Sequence, residues 1–208
     1  NANAAGNEGI DIVGHAVVGN GGADYVGGTA ALEFFTVSQT TTFNVPVDTT
    51  TSGSFLDTVE TTGLQAYTGN VILNNHTTLS SSAGGLITFS SDITSPTTPW
   101  DLIVNTTGNT VFAGSMVGTM AEPLRHLITD DPSQVAGDAS KVGPAGTTSL
   151  QGTFWTTLNQ QFWDDVIITG NTVNESTMIG EVRYEKTVFS DIALSLVHIR
   201  RTRRPLTC

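Results

Sequence analysis

Two stretches of the chain, VETTGLQAYTGNVIL at residues 59–73 and FWTTLNQQFWDDVII at residues 154–168, match each other after a shift of 95 residues. The shift places Gln65 on Gln160, and it superimposes the Thr-Thr pairs and the aliphatic triplets of the two stretches. Repeats on this scale are typical of proteins that stack one structural unit on another. The match therefore predicts a fold built from a repeated unit of about 95 residues.

The same shift continues on both sides of these stretches. It aligns GLITF at residues 85–89 with GEVRY at residues 180–184, which keeps a glycine, an aliphatic residue and an aromatic residue in step. Backwards it aligns Ser54-Phe55 with Ser149-Leu150. The repeat thus extends well beyond one short motif.

An earlier part of the chain repeats at a slightly shorter shift. Val26-Gly27 matches Val117-Gly118, and Leu32 matches Leu124. Because two separate sets of matching segments give nearly the same period, we expect the chain to contain about two units.

Composition favours β-structure throughout. Thr occupies 34 of the 208 positions and Gly 22, whereas charged residues make up only 13%. Thr suits a half-buried strand and Gly suits tight corners. Short apolar runs, such as those at 71–73, 86–89 and 102–104, are separated by clusters of Gly, Asn, Ser, Thr and Pro. This pattern predicts many short strands in an all-β fold.

One region has an alternative helical interpretation. Met116, Met120, Leu124 and Leu127 are spaced as on one face of a helix. Pro123 lies among them and would break such a helix. We therefore predict two strands in residues 115–129.

Short strands without hairpin signals favour a parallel β-helix, in which short strands wind into a solenoid of stacked coils. We predict a single solenoid over residues 1–199, with units at about 20–114 and 115–199, followed by a basic tail at 200–208. The alternative is a string of β-sandwich domains of about 95 residues each.

Charge excludes some classes of partner. Eight basic and 19 acidic residues give a net charge of −11, and four of the basic residues are arginines between Arg200 and Arg204. An acidic body repels phosphate backbones and anionic headgroups, so we expect no nucleic acid among its partners. No apolar run is long enough to span a bilayer, so we expect no membrane insertion.

The ends of the chain indicate a processed product or an excerpt of a longer protein. Residues 1–9 lack an initiator Met and have neither the basic nor the apolar region of a signal peptide. The one cysteine, Cys208, is the last residue and has no partner for an internal disulfide.

Three segments together resemble a family of very large bacterial surface proteins. They are TTGLQAYTGNVIL at 61–73, DLIVN at 101–105 and FAGSMVG at 112–118. Repeats of this style resemble those of filamentous-haemagglutinin-like and autotransporter-like adhesins, and the likeness runs from about residue 25 to about residue 199. The resemblance implies a right-handed parallel β-helix stalk, extracellular or at the cell surface, without catalytic residues or a cofactor. The Pro/Gly/Ala-rich stretch at 131–148 and the tail depart from this pattern.

The residues that carry metal or nucleophilic chemistry show no known motif. His15, His76, His126 and His198 are scattered without ligand spacing, so we expect no zinc site. The acidic pairs Asp130-Asp131 and Asp164-Asp165 match no calcium-binding loop. For Asp130-Asp131 we expect a solvated corner rather than a calcium site.

Charged and aromatic residues on strands suggest surface roles. Arg183 lies between Glu181 and Glu185, as expected for the outward face of a strand. Trp155 and Trp163 stand where the other unit has Glu60 and Thr68, so we expect both rings to point outward. An exposed tryptophan can stack on a sugar ring or pack on a neighbouring coil or subunit. We take Trp155 and Trp163 as the candidate glycan-binding residues.

Three functional hypotheses follow. The first is a structural or adhesive segment that is not an enzyme and contacts a host or surface glycan or a neighbouring repeat. The second is a subunit of an extracellular fibre, assembled by end-to-end or lateral stacking of copies. The third is a β-helix enzyme acting on polysaccharides, because such enzymes gather carboxylates on one face.

Overall fold

The computed structural model describes residues 8–19, 26–27, 30–44, 58–132, 146–191 and 198–201. Every regular element in these ranges is a β-strand, which confirms the all-β prediction. The strands are β1 (Ile10–Ile12), β2 (Ala16–Val18), β3 (Phe35–Val37), β4 (Thr41–Phe43), β5 (Val59–Thr61), β6 (Gln65–Tyr67), β7 (Val71–Leu73), β8 (Thr77–Ser81), β9 (Ile87–Phe89), β10 (Ile93–Thr94), β11 (Leu102–Thr106), β12 (Thr110–Phe112), β13 (Met116–Val117), β14 (Leu127–Thr129), β15 (Thr147–Thr156), β16 (Gln160–Phe162), β17 (Asp165–Ser176), β18 (Val182–Tyr184), β19 (Val188–Ser190) and β20 (His198–Arg201).

The strands pair in parallel and form three columns. Column one is a six-stranded sheet in the order β5, β8, β11, β14, β16, β18. Column two runs β1, β3, β6, β9, β12 and then the first halves of β15 and β17, ending at β19. Column three runs β2, β4, β7, β10, β13 and then the second halves of β15 and β17, ending at β20. Columns two and three form one 14-stranded sheet because β15 and β17 pass through both.

Successive strands enter the three columns in turn, which makes the arrangement solenoid-like. The series β5, β6, β7 is followed by β8, β9, β10, and each strand pairs with the strand three positions later. We call one strand from each column a rung. In the described part of the chain all strand pairs are parallel, whereas β-sandwich domains are antiparallel. The alternative of a string of sandwiches is therefore wrong.

Alternation of side chains places one apolar core between the columns. In β3, Phe35 and Val37 are buried while Thr36 between them is partly exposed. Parallel register stacks equivalent positions at about 4.8 Å per rung. Phe89 accordingly stacks on Tyr67 with ring centroids 5.3 Å apart and on Phe112 with centroids 5.1 Å apart.

The region with two interpretations forms two strands, as predicted. Residues 116–117 form β13 and residues 127–129 form β14, in columns three and one. The residues between them, including Pro123, form no helix. Proline cannot donate a backbone hydrogen bond and disfavours helix continuation, which agrees with this break.

The repeat keeps its register in the structure but changes column. The pair Val59–Leu79 in β5 and β8 becomes Phe154–Asn174 in β15 and β17 after the shift of 95 residues. Likewise Gln65–Ile87 becomes Gln160–Val182. Yet β6 lies in column two and its counterpart β16 lies in column one. From β6 to β16 the chain passes through 11 strand positions when the two halves of β15 are counted separately. Since a rung has three strands, 11 positions are not a whole number of rungs, and the second unit starts in a different column.

Two glycines that the shift aligns lie at crowded corners. A Cβ atom on Gly85 would lie 2.0 Å from the carbonyl oxygen of Gly63, one rung below. A Cβ atom on Gly180 would lie 2.2 Å from the carbonyl oxygen of Leu158. Such distances are too short for any side chain, so close contact between backbones explains why both units have glycine here.

Some sequence predictions fall outside the described residues. Most of the irregular stretch at 131–148, most of the basic tail and Cys208 belong to this group. The division into units at residues 114 and 115 stays a prediction.

Candidate functional site

The two predicted glycan-binding residues lie in different parts of the solenoid-like arrangement. Trp155 belongs to the column-three half of β15, between buried Phe154 and buried Thr156, so its ring alternates to the outer face. Trp163 follows β16 in column one. Both side chains are partly buried, and in the described part of the chain the Trp163 Nε1 is buried without a hydrogen-bond partner.

The structure does not join these tryptophans into an aromatic patch. Among the described residues, neither ring contacts another aromatic ring. Each ring therefore offers at most a separate, half-exposed surface. Their role towards glycans stays a prediction.

A cluster that the sequence did not predict lies where the chain enters column one. His76, Asp101 and His126 directly precede β8, β11 and β14. These strands are in parallel register, so the residues before them stack, and Thr77 N–H donates to the Asp101 carbonyl at 2.9 Å. We call His76, Asp101, Arg125 and His126 the charged corner.

Asp101 is the centre of the charged corner. Its Oδ2 lies 2.8 Å from His76 Nδ1. Arg125 donates to both carboxylate oxygens, with Nε 2.7 Å from Oδ1 and a terminal nitrogen bonded to Oδ2. The Trp100 ring packs edge-on against His76 with centroids 4.9 Å apart. Asp101 thus links three successive rungs.

Electrostatics set the ionisation of this corner. Burial acts to raise the pKa of Asp101, but the hydrogen bonds and charges of His76 and Arg125 outweigh it and lower that pKa below the usual value. Burial lowers the pKa of His126, and the charges of Arg125 and His76 add to this effect against the opposing Asp101. At neutral pH Asp101 is therefore ionised and His126 is neutral.

The contacts of Asp101 with His76 and Arg125 join neighbouring rungs, so the charged corner can act as a structural clamp. A His–Asp pair can orient a general base, but a nucleophile must then lie within hydrogen-bond reach. In the described ranges no hydroxyl or thiol is hydrogen-bonded to His76 or His126. No three His, Cys, Asp or Glu side chains of these ranges form a group suited to a metal ion.

The prediction of a solvated corner at Asp130-Asp131 is wrong. Asp130 is 2% exposed and Asp131 4%, and Asp164 of the second acidic pair is 1% exposed. Thr106 N–H donates to Asp130 Oδ1 at 2.7 Å, and Thr148 Oγ1 donates to Asp164 Oδ1 at 2.7 Å. Both carboxyls therefore lie inside, and the backbone of Asp130 is in the left-handed region at φ 56°.

We call Asp130 and Asp164 the buried acid pair. Burial raises the pKa of both carboxyls, and for Asp130 the neighbouring Asp164 raises the pKa further. Two carboxyls that share a site cannot both ionise at low cost, so the pair retains a proton where a free Asp has lost it. No feature of the sequence distinguishes these acids from exposed ones.

These carboxyls do not suit polysaccharide cleavage. A glycosidase needs two carboxyl groups that flank a sugar bond and contact the substrate. At 2% and 1% exposure, the buried acid pair has no such access. The other predicted cluster contains an ion pair between exposed Arg183 and half-buried Glu185, in which Arg183 Nε contacts the carboxylate. Arg183 lies on the outer face of β18, as predicted.

In the part of the chain that the structure describes, no helix is both long and apolar enough to cross a membrane. Comparisons of the chain with protein-family models, curated proteins and solved structures find no match.

Proposed function

We propose that the chain is a right-handed parallel β-helix that serves as a structural or adhesive segment of a secreted or cell-surface bacterial protein. Support for the β-helix comes from three parallel columns that the chain visits in turn around one core. Support for the hand comes from the general rule that crossovers between parallel strands are right-handed in nearly all proteins.

The observation that carries the functional proposal is the contrast between interior and exterior in the two units. Gln65 and Gln160 are both fully buried in the interior, and both units retain a glutamine there. On the outer faces, Glu60 becomes Trp155 and Thr88 becomes Arg183. A scaffold conserves its interior and leaves its outer residues free to meet different partners.

The surface chemistry favours uncharged or cationic partners over nucleic acids. The net charge of −11 repels phosphate backbones. The half-buried rings of Trp155 and Trp163 offer apolar surface on which a sugar ring can stack. A host or surface glycan, or a neighbouring repeat, is therefore the partner class that we propose.

Binding to an array of immobilised neutral and acidic polysaccharides tests the adhesive role. We expect Trp155→Ala or Trp163→Ala to weaken capture of the purified chain by about tenfold, as loss of a stacking aromatic does. Phe189→Ala is the matched control because Phe189 is an aromatic residue that is 51% exposed elsewhere. Absence of binding to any glycan and to any copy of the chain would contradict the proposal.

A fibre subunit is the second candidate, favoured by the surface at β19. Val188 occupies an inward position of column two, and its register partner Val166 is fully buried. Val188 is nevertheless 41% exposed. Within the described residues, β19 pairs only with β17, so its other edge and the inward side chain of Val188 offer a surface for stacking another copy. Electron microscopy of the concentrated chain would show filaments if this candidate is right and only particles if it is wrong.

A further inference from the structure

Acidic and basic residues are segregated along the chain. Residues 1–124 contain ten acidic residues and no lysine or arginine, whereas residues 183–208 contain six of the eight basic residues and two acidic ones. In the described part of the chain, β1 and β2 lie at one end of the solenoid-like arrangement, and β18, β19 and β20 lie at the other. We call these the acidic end and the basic end.

Both ends present an open strand edge and an exposed apolar side chain in column two. Within the described residues, β1 pairs only with β3, and β19 pairs only with β17. Ile10 of β1 is exposed although its register partner Phe35 is buried, and the same holds for Val188 of β19 and its partner Val166. Each end therefore offers what the other end can cover: backbone donors and acceptors beside an inward apolar side chain.

We propose that the basic end of one copy stacks on the acidic end of a second copy, so that β19 pairs in parallel with β1 and column two continues from copy to copy. Copies with a net charge of −11 repel each other side by side. Contact between the two ends brings opposite charges together instead. The proposal rests on the fibre candidate above, to which it adds an orientation and a charged contact, but not on glycan binding.

The strand register identifies the charged contact at this junction. Val188 and Ile10 are the first residues of three-residue strands, and both take inward positions, so continuing column two places one on the other. Two residues earlier in each chain, the same register brings Lys186 of one copy beside Glu8 of the next. Both residues are exposed, and parallel neighbours lie about 4.8 Å apart, so their side chains are within reach of an ion pair.

The surroundings of Glu8 favour a cation on its open side. Glu33 N–H donates to the Glu8 carbonyl at 2.7 Å, so these two exposed glutamates lie on adjacent levels of the acidic end. Asp11 adds a third exposed acid on β1 itself. Lys186 of another copy would offset the repulsion among these carboxylates, whereas a second acidic end would increase it. Charge therefore favours stacking of unlike ends over stacking of like ends.

Sedimentation velocity of the full chain over a concentration series tests the proposal. We expect self-association with a dissociation constant on the order of 10–500 μM in about 0.1 M NaCl, weakened about threefold in about 0.5 M NaCl because salt screens opposite charges. Glu8→Lys and Lys186→Glu should each weaken association by about threefold to tenfold, and a chain with both substitutions should recover it. Glu122→Lys is the matched control, because it makes the same change of charge between β13 and β14, away from both ends.

The outcomes separate this stacking from the fibre candidate and from the adhesive role. Association that salt strengthens, that Glu122→Lys weakens as much as Glu8→Lys, or that the double variant does not recover overturns the stacking of unlike ends and leaves a fibre built through other contacts. A chain that stays monomeric up to about 1 mM overturns both, and glycan binding by that monomer leaves the adhesive role intact. If circular dichroism shows that Lys186→Glu does not fold, Glu8→Lys against Glu122→Lys decides.

Discussion

Gln65 and Gln160, 95 residues apart, form corresponding hydrogen bonds in the core. The Nε2 of Gln65 lies 2.7 Å from the Ser80 carbonyl oxygen and 3.2 Å from Thr61 Oγ1. The Nε2 of Gln160 lies 3.0 Å from the Glu175 carbonyl oxygen and 3.4 Å from Thr156 Oγ1. Each acceptor of Gln160 follows its counterpart by 95 residues, although the two glutamines lie in different columns.

The hydrogen bonds of the two glutamine side chains differ in one respect. Tyr67 Oη donates to Gln65 Oε1 at 2.9 Å, whereas Phe162 has no hydroxyl and Gln160 Oε1 is a buried atom without a partner in the described residues. We expect Tyr67→Phe to destabilise the fold by about 1–3 kcal/mol, because it leaves a buried oxygen unpaired. Urea unfolding followed by circular dichroism measures this change.

The reciprocal change adds the missing donor. Phe162→Tyr should stabilise the fold by up to about 1 kcal/mol through a new hydrogen bond to Gln160. Phe89→Tyr is the control, because Ile87 occupies the position next to it that corresponds to Gln65 and cannot accept the new hydrogen bond. If Phe162→Tyr destabilises the fold as much as Phe89→Tyr, the buried surroundings of Gln65 and Gln160 are not equivalent.

The corner glycines give a steric prediction. Gly85→Ala and Gly180→Ala should each destabilise the fold by about 1–3 kcal/mol, because the new methyl groups meet backbone that cannot move without shifting a rung. Gly170→Ala is the matched control, as the atoms nearest to its Cβ would belong to the flexible side chain of Gln151. Thermal unfolding compares the three variants. Equal effects for all three would contradict the packing described at these corners.

The sequence predicts the strands and the all-β class, but it does not predict the register between the strands. Inward and outward residues alternate in most strands, so the strands and their all-β class are visible in the pattern. The rung length varies, however: 20 residues separate Val59 from Leu79, and 33 separate Thr129 from Phe162. Because each column repeats the same alternation, the sequence does not show that the second unit begins in another column.

The charged corner and the buried acid pair were not predicted, because the sequence does not show which residues of different rungs stack on one another. His76, Asp101 and His126 are spaced by 25 residues, and only parallel register shows that this spacing stacks them. Asp130 and Asp164 are buried, and no sequence motif marks them as different from exposed acids. Trp155 was predicted on the outer face and lies there, because strand alternation is a local property.

The charged corner should lose its stabilising effect in acid. The pKa of Asp101 is lowered in the fold, so its ionised form favours folding above the ordinary pKa of about 3.9, and this contribution disappears as the pH falls below it. We expect Asp101→Asn to cost about 1–3 kcal/mol at pH 7, less than for a fully buried pair because Arg125 is 42% exposed. The cost should shrink towards pH 3. A cost independent of pH would contradict this ionisation.

The buried acid pair should have the opposite effect on how stability depends on pH. Its carboxyls have raised pKa values, so above about pH 4 the folded state binds a proton that the unfolded chain releases. Stability should therefore decrease as the pH rises. Asp164→Asn removes one ionisable group and should flatten this decrease above about pH 4, as measured by the urea midpoint. An unchanged slope in Asp164→Asn would exclude the pair as its source.

Disulfide trapping most directly tests the claim that the 95-residue repeat keeps register while changing column. In a Cys208→Ser background, cysteine pairs at 66 and 88 and at 161 and 183 occupy partner positions in neighbouring strands, within the Cα separation of about 4.4–6.8 Å that a disulfide requires. Cysteines at 88 and 161 lie in different columns. We expect both register pairs to form intramolecular disulfides, detected by mass spectrometry, and the mixed pair to remain reduced. A disulfide in the mixed pair, or none at 161 and 183, would contradict the claim.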